Sequence, residues 1–484
     1  MQLYLINPTN PLVNLANVQE SWWNRYRVWK PLGLLVLAGL TGPEWEVTVF
    51  DENVHRQDYS LLPKPDLVGI TAFTSQAPRA YELADEFHAR GIQVVMGGIH
   101  ATMCREEALS HVDCVVTGEA EGVWPIVLED AQHGELQRTY HGEYIDLATM
   151  PQARHDLLSE GYAFGSVQTT RGCPLDCNFC SVSAFNGKRY RQRPIADVIQ
   201  EMKSIREKRV LVVDDNLIGT SKVHIARAKK LFRAIIDADL KKEWVCQVTI
   251  NIADDEELLA LAVKAGCTGA FIGFESTTAD GLAEVGMKFN NRKNRDFAAS
   301  VQRIHDHGIL TVGSFIMGLD ADKPGIGLQI DSTARQYGLD IINVLFLTPL
   351  PGTRLWDQMV EQDRIEANDF PTDWRLYTLG FPTARYKNFT AAALAEEMVV
   401  CDGRFFSRGR ILRRLWGSFL GRRHPLMAIA SNLSYRNNSQ LARRVFEQMD
   451  LVAPERPANG LKQLSQRILH WLRRKLPIPI TPGR

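Results

Sequence analysis

Short strand-like runs alternate with helical stretches along most of this chain, and that alternation limits its fold more than any other feature. The first runs are QLYLINP, WEVTVFDE, DLVGITAFT, IQVVMGG and CVVTGEA, which are rich in Val, Ile and Thr and bounded by Gly, Pro or Asp. Helical patterns, such as those over residues 78–90 and 121–132, separate them. Since strands that alternate with helices form parallel sheets, we predict a doubly wound α/β domain over residues 1–140.

A second alternating series follows residues 141–164, whose weak periodicity is typical of a linker. Its strand-like runs are GSVQTTRG, RVLVVDDN, WVCQVTI, TGAFIGFE, LTVGSFIMG and DIINVLFLTPL. Six such strands with helices between them predict a partial, TIM-like (β/α)6 barrel over residues 165–370. Barrels carry their active sites at the carboxyl ends of the strands, and the acidic residues predicted there are Asp214, Asp215, Glu275 and Asp320.

The C-terminal region, residues 371–484, is predicted to be α-helical and basic. The whole chain has a net charge of zero, yet from residue 404 onward 17 Lys and Arg residues accompany only three acidic residues. In GRILRRLWGSFLGRR, residues 409–423, the apolar side chains are predicted to share one helical face; they are Ile411, Leu412, Leu415, Trp416, Phe419 and Leu420. Residues 461–475 repeat this pattern with Leu464, Ile468, Trp471 and Leu472.

Two interpretations of this basic tail stay open. A helical cap packed on the barrel, with its arginines in water, is favoured. The alternative is peripheral contact with an anionic membrane surface. A nucleic-acid partner is not expected, because the tail contains no basic groove with interleaved aromatic residues and no known module.

The compartment is predicted from what the sequence lacks. The start, MQLYLINPTNP, has no positively charged stretch followed by an apolar run, as a signal peptide would. The longest apolar run near it, residues 33–40, is far shorter than the ~20 residues of a membrane-spanning helix. We therefore expect a cytoplasmic protein, with a location at the inner face of the membrane left open by the tail. Eight cysteines in 484 residues are too few for a disulfide framework.

Three of these cysteines lie close together in RGCPLDCNFC, with the spacing C-x3-C-x2-C and no fourth nearby. They are Cys173, Cys177 and Cys180, directly after the first predicted barrel strand. Zinc and most iron–sulfur sites use four protein ligands, so a zinc site would need a distant histidine. Three thiolates can instead hold three corners of a [4Fe–4S] cube and leave the fourth iron open for another ligand.

With TTRGCP before it, this motif resembles the radical SAM superfamily, in which the open iron binds S-adenosylmethionine (SAM) and reduction of the cluster yields a 5′-deoxyadenosyl radical. The resemblance implies that Phe179 lies near the adenine. It also implies that Glu275 and Ser276 in IGFES contact the ribose and amino group of SAM. Asp214 and Asp215 in VVDDN stand where the family recognises the SAM amino group, in place of the commoner Gly-Gly-Glu.

The N-terminal segments GITAFTSQAPRAYELA, VVMGGIHAT and VVTGEAEGVWP resemble the Rossmann-like cobalamin-binding domain that precedes the barrel in many radical SAM enzymes. Glycines allow a ligand to approach the backbone closely, and a strand-to-helix turn offers N–H groups to a phosphate. The implied cobalamin contacts are Thr74, Gln76, Gly97, Gly98, His100, Thr102, Gly118 and Glu119. The loop NPTNP lacks the histidine that ligates cobalt in methionine-synthase-type domains, so cobalt should have no protein histidine below it.

The resemblance implies an enzyme with three cofactors: a [4Fe–4S] cluster, SAM and cobalamin. We expect a methyltransferase that acts on an unactivated carbon through a substrate radical and methylcobalamin. The enzymatic alternative is oxidative cyclisation or rearrangement without methylation, and the alternative of another class is a non-catalytic corrinoid or cluster carrier. The expected partners are a small-molecule substrate, for which a lipid or isoprenoid is one option, and an external electron donor of the flavodoxin or ferredoxin type. The sequence identifies no catalytic acid or base.

Overall fold

The structure is a computed structural model that describes residues 1–12, 29–158, 161–287, 295–420 and 424–454. The second basic stretch of the tail, residues 461–475, therefore lies outside the described residues.

The first half of the chain forms a six-stranded sheet. Its strands are β1 (Gln2–Asn7), β2 (Glu46–Asp51), β3 (Leu67–Thr71), β4 (Gln93–Gly97), β5 (Cys114–Gly118) and β6 (Thr139–Gly142). Their spatial order is β2-β1-β3-β4-β5-β6, and every pair is parallel. The helices that accompany the sheet are α1 (Leu32–Leu40), α2 (Ala77–His88), α3 (Gly98–Met103), α4 (Arg105–Leu109) and α5 (Trp124–His133).

Burial on both faces explains the apolar runs of this sheet. In β1 the four residues from Leu3 to Ile6 are all less than 5% exposed, as expected where helices cover a parallel sheet on both sides. The sequence analysis missed β6, since its residues, TYHG, carry no apolar run and lie at the edge of the sheet.

The second half forms the barrel. Its strands are β7 (Gly165–Val167), β8 (Thr170–Arg171), β9 (Arg191–Gln192), β10 (Arg209–Val212), β11 (Glu243–Val248), β12 (Cys267–Glu275), β13 (Leu310–Met317) and β14 (Ile341–Phe346). Six of them form a parallel sheet in the order β14-β13-β12-β11-β10-β7, while β8 and β9 form a separate antiparallel ribbon. Within the described ranges β7 and β14 do not pair, so the barrel is partial, and the predicted fold class is confirmed.

Eight helices in the described part of the chain accompany the barrel strands. They are α6 (Ser181–Asn186), α7 (Ile195–Ser204), α8 (Lys222–Asp237), α9 (Glu256–Lys264), α10 (Ala279–Glu284), α11 (Phe297–Asp306), α12 (Ile326–Tyr337) and α13 (Arg354–Glu361). Several begin at a polar residue whose side chain accepts a hydrogen bond from the backbone N–H three residues later, as Ser221, Asp255 and Asp296 do. Such caps satisfy N–H groups that have no partner within the helix, and so fix where each helix starts.

Three further helices complete the described chain: α14 (Ala391–Phe405), α15 (Arg408–Leu420) and α16 (Pro425–Gln448). Helix α16 contacts both ends of the open barrel. Phe446 packs on Phe346 of β14, whereas Met427 and Ala428 share an apolar cluster with Phe164, the residue before β7. The helix therefore packs on both sides of the open barrel.

A buried carboxylate attaches the tail to the barrel. Asp331 of α12, whose side chain is 1% exposed, lies 2.6 Å from Arg410 and 3.4 Å from Arg404. Arg414 is also packed inside: its guanidinium lies 3.9 Å from the centre of the Phe405 ring and donates a hydrogen bond to the Asn432 amide oxygen. These contacts show that part of the positive charge of the tail serves packing.

Only part of the predicted apolar face of α15 is buried. Ile411 is buried and Leu415 half-buried against the core, but Leu412 and Trp416 are each 67% exposed. The buried acceptors around Arg410 and Arg414 draw those arginines inward and turn Leu412 and Trp416 outward. The side chains of Phe419 and Leu420 lie outside the described part of the structure. None of the described helices combines the length and apolarity needed to cross a membrane.

Candidate active site

The carboxyl ends of the two sheets face each other, and the chain joins them on two sides. On one side, Met103 of α3 lies against Gly352, which follows β14. Close by, Trp374 donates its indole N–H to the Glu107 carboxylate over 2.8 Å. On the other side, Glu119 after β5 pairs with Arg171 of β8. The space between the two edges is therefore where ligands of both sheets would meet.

Backbone hydrogen bonds hold the cysteine loop at the mouth of the barrel. Gly172, with φ +87°, donates its N–H to Asp215 over 2.9 Å, and a side chain there would meet the Arg189 carbonyl oxygen. The N–H of Cys173 is directed at the Gly187 carbonyl at 3.3 Å, and that of Asn178 at the Val285 carbonyl at 3.3 Å. The loop is thus fixed to residues that follow three different parts of the barrel.

The three thiols are free and lie close enough to one another to affect each other's pKa. Burial raises the pKa of Cys173 to about 11, and the neighbouring Cys180 and Asp215 add to the shift. Burial also raises the pKa of Cys177 and of Cys180, with Glu275 contributing to both. Three thiolates in such a place require positive charge from a ligand, and iron supplies it.

The donor set fits a cluster. Within the described ranges, no three His, Cys, Asp or Glu side chains are arranged to hold a single metal ion. Three thiols carried by one short loop are instead what three corners of a cubic cluster require. Cys173, Cys177 and Cys180 would hold three of its irons.

The two adjacent aspartates after β10 have different roles. Asp214 has no exposed surface, and its carboxylate accepts hydrogen bonds from the Thr169 N–H, the Thr169 hydroxyl and the Thr170 hydroxyl. These hydrogen bonds join the end of β10 to the segment that precedes the cysteines. Asp215 is half-buried at the mouth, where burial raises its carboxyl pKa to about 6, and it is the member of the pair that a ligand could reach.

Glu275 ends β12 in a strained and unneutralised position. Its φ is +66°, which is uncommon for a residue other than glycine, and the register of β12 against β13 shifts beside it. Burial raises the pKa of its half-buried carboxyl group to about 7. A ligand ammonium group would relieve this cost. Ser276 is buried, with 8% of its surface exposed. Phe179, which lies between Cys177 and Cys180 in the sequence, is half-buried against the core.

At the edge of the first sheet, three of the predicted cobalamin contacts form one group. Thr102 donates its hydroxyl to the Gly98 carbonyl over 2.8 Å and accepts the Gly118 N–H over 3.1 Å. Gly98 and Gly118 have φ values of +88° and +74°, and a side chain at either would collide with a neighbour. Only glycine therefore fits these two turns, in which the backbone packs closely against neighbouring segments.

The other predicted contacts are used by the protein itself. His100 is fully buried, with its ring nitrogen Nε2 2.8 Å from the Tyr81 hydroxyl and its ring against Trp374. Gln76 is buried and donates its side-chain amide to the Pro8 carbonyl over 2.6 Å; Thr74 is 8% exposed. Glu119 is 3% exposed and lies in ion pairs.

Several residues at this site were missed by the sequence analysis. Arg171 and Arg191 form ion pairs with Glu119. Burial of the Glu119 carboxyl group raises its pKa, but the two arginines outweigh this effect and keep the pKa below its usual value. Phe73, at the carboxyl end of β3, is 63% exposed. Phe73 could have been identified from the sequence, because an apolar residue in a loop at a strand end is a candidate ligand contact. The pairing of Arg171 and Arg191 with Glu119 could not, because no local sequence pattern shows which acid an arginine contacts.

Comparison with known families matches both halves of the chain. Residues 167–323 match the Radical SAM superfamily, and residues 24–128 match the B12 binding domain. A solved structure of the radical SAM methyltransferase TsrM from Kitasatospora setae has a TM-score of 0.59 and 20% identity, and covers 75% of each chain, so the fold is shared.

Curated relatives span most of the chain. The bacteriochlorophyllide d C-8(2)-methyltransferase of Chlorobaculum tepidum is 30% identical over 70% of this chain and 79% of its own. The C-12(1)-methyltransferase of the same organism is 29% identical over 80% and 85%. The hopanoid C-2 methylase of Rhodopseudomonas palustris is 26% identical over 70% and 66%.

The chain belongs to the cobalamin-dependent radical SAM enzymes. Its cofactors are a [4Fe–4S] cluster, SAM and cobalamin, as the resemblance implied. An anaerobic magnesium-protoporphyrin IX monomethyl ester cyclase of Rubrivivax gelatinosus is also a relative, at 25% identity, but the methyltransferases are more similar. The expected assignment to methyltransferase chemistry, acting on a small molecule, is therefore confirmed, and the carrier alternative is set aside.

The cysteine ligands are tested by replacement. Anaerobically reconstituted protein should hold about four iron and four sulfide per chain, with an EPR signal on reduction that SAM perturbs. Replacing Cys173, Cys177 and Cys180 together with Ala should remove the iron and the signal, because no other described thiol lies in the loop. Cys104→Ala is the control and should keep both. A full cluster in the triple variant would contradict the ligand assignment.

Proposed function

We propose that this enzyme methylates an unactivated carbon of a large, rigid and mainly apolar ring compound. The observation that carries the proposal is the meeting of the two carboxyl edges, because it brings a methyl donor site and a radical site to opposite sides of one space. The relatives act on bacteriochlorophyllide d and on hopanoids, which are both extended polycyclic molecules.

The residues of the chain have separate tasks in this reaction. When bound, the cofactors supply an electron, a carbon-centred radical and a transferable methyl group. Cys173, Cys177 and Cys180 hold the cluster, while Asp215 fixes the start of their loop through Gly172. Glu275 offers an unpaired carboxyl group at the site where the resemblance puts the amino group or ribose of SAM. Gly98 and Gly118 shape the turns at the facing edge, where the resemblance puts cobalamin.

Exclusion of water is the remaining task. The contacts Met103–Gly352, Trp374–Glu107 and Arg171–Glu119 close the sides of the space between the edges. A closed site protects a reactive radical from side reactions and positions the target carbon between its two reaction partners.

Methylation is tested with labelled SAM. Under anaerobic conditions, SAM that carries a CD3 group should give a product three deuterium masses heavier than the unlabelled one, together with 5′-deoxyadenosine. Bacteriochlorophyllide d and hopanoids are the first candidates. Cys180→Ala should form neither product. A product that gains a ring but no label would favour cyclisation and contradict the proposal.

We also propose where an external electron donor binds. Asp176 lies between two of the cysteines and is 53% exposed, so the cluster loop itself reaches the surface. Lys188 and Arg354, both more than half exposed, flank it at 2.6 Å and 2.9 Å. Two cations beside the cluster loop fit an acidic protein of the flavodoxin type, because opposite charges steer association.

Charge reversal tests this docking surface. Lys188→Glu with Arg354→Glu should raise the KM for reduced flavodoxin several-fold and weaken its salt dependence, while activity with dithionite stays unchanged. The matched control reverses Lys208 and Lys241, which are exposed and precede β10 and β11 at the opposite end of the barrel. Equal effects of the two double variants would argue against the surface.

A third proposal concerns the tail, which we place at the inner, cytoplasmic face of an anionic membrane. Leu412 and Trp416 lie one turn apart on α15 and are 67% exposed, and Leu426 at the start of α16 is 76% exposed. Arg408 and Arg413 on the same helix are exposed. Exposed apolar side chains beside arginines fit a lipid surface, while the inner face of the helix stays packed.

Vesicle binding tests the membrane proposal. The enzyme should sediment with anionic vesicles at low salt, and less at high salt, because the attraction is screened over about 10 Å at 0.1 M. Leu412→Ser with Trp416→Ser should abolish most of the binding. Leu61→Ser with Val223→Ser removes equally exposed apolar side chains elsewhere and should not. Absence of binding by the unaltered enzyme at low salt would reject the proposal.

A further inference from the structure

Four charged residues form a buried network between the two halves of the protein. Glu119 accepts hydrogen bonds from Arg191 over 2.8 Å and 2.5 Å and lies 3.2 Å from Arg171. Arg171 also pairs with Glu121 over 2.8 Å. The Glu119 side chain is 1% exposed, and those of Arg171 and Arg191 are 10% and 8% exposed.

On the barrel side, the network is attached to the base of the cysteine loop. Arg171 and Arg191 face each other across the β8–β9 ribbon, as paired residues of one ladder. Gly172 and Cys173 follow Arg171 directly. Any displacement of the two guanidinium groups would therefore move the first cysteine with them.

On the other side, the network is attached to the glycine edge of the first sheet. Glu119 follows Gly118, whose N–H is held by Thr102. The backbone of Glu119 also crosses so close to Gly142 that a side chain at Gly142 would overlap its carbonyl oxygen. Its carboxylate accepts the N–H of Ile145 over 2.9 Å. The carboxylate thus has little freedom to follow the arginines if they move.

We propose that Glu119, Arg171 and Arg191 act as an interdomain clamp that sets the separation between cobalamin and the cluster. The clamp rests on the cofactor sites of the proposed function, but it does not depend on methylation. We assign them a positioning role, because the contacts of the Glu119 carboxylate are with Arg171, Arg191 and the Ile145 N–H. A carboxylate buried with two arginines adds little stability, since desolvation offsets much of the attraction. The rigid bidentate contact between Glu119 and Arg191 instead favours a fixed distance between the two halves of the protein.

The geometry of the clamp suggests a matched pair of variants. Glu119→Gln keeps the shape of the side chain but removes the charge that holds both arginines. Glu121→Gln removes a carboxylate that contacts only Arg171 within the same network, and so serves as the control. Arg191→Lys keeps the positive charge but loses the two-pronged contact, and is measured alongside in case Glu119→Gln fails to fold.

The measurement is the distance between the two cofactors in the loaded enzyme. The electron spin of cob(II)alamin relaxes faster when a paramagnetic reduced cluster lies nearby. This enhancement of the relaxation rate falls steeply with the distance between the two centres. In Glu119→Gln we expect a smaller and more heterogeneous enhancement of the relaxation rate, at unchanged iron and cobalamin content. Arg191→Lys should give an intermediate enhancement, and Glu121→Gln should resemble the unaltered enzyme. The yield of 5′-deoxyadenosine per methylated product should rise several-fold in the same order.

The relaxation result separates this inference from the proposed function. Altered relaxation in an enzyme that does not methylate would keep the clamp and reject methylation. Unchanged relaxation and product ratio in folded Glu119→Gln would overturn the clamp. If that variant does not fold, unchanged relaxation in Arg191→Lys would overturn it equally.

Discussion

Parallel strand direction is the constraint on which the rest of this enzyme depends. In each sheet it gathers the loops that can bind ligands at a single edge, and the chain then turns the two edges toward each other. One contact region, at Glu119, joins them through buried charge, whereas the other, at Met103 and Trp374, uses packing and hydrogen bonds. A site built between two sheets therefore depends on contacts that belong to neither sheet alone.

The cysteine loop shows how much of the barrel supports one short motif. Asp214 is enclosed and hydrogen-bonded to Thr169 and Thr170, and Asp215 accepts the N–H of Gly172. These two aspartates, which follow β10, thus fix two successive points of the chain that leads to Cys173. The pair stands where the resemblance suggested direct ligand contacts, but Asp214 has only a supporting role, whereas Asp215 remains half-buried at the mouth.

The sequence predicted those features that a local pattern carries. Apolar runs between Gly, Pro and Asp located the main strands, and the spacing of Cys173, Cys177 and Cys180 located the cluster loop. It could not show that His100 turns inward to Tyr81, because a motif gives a position but not a side-chain direction. Nor could it separate Leu412 from Ile411 on α15, since periodicity does not reveal that buried acceptors hold Arg410 and Arg414. Partners as distant in sequence as Glu119 and Arg191 leave no local trace.

The position of α16 has a consequence for the order of assembly. During synthesis the barrel strands emerge first, and β7 and β14 then have open edges with no neighbour among the described strands. Only after residue 448 has left the ribosome can α16 pack on both sides of the open barrel. Until then the nascent chain exposes unpaired strand edges, which are prone to associate with other chains.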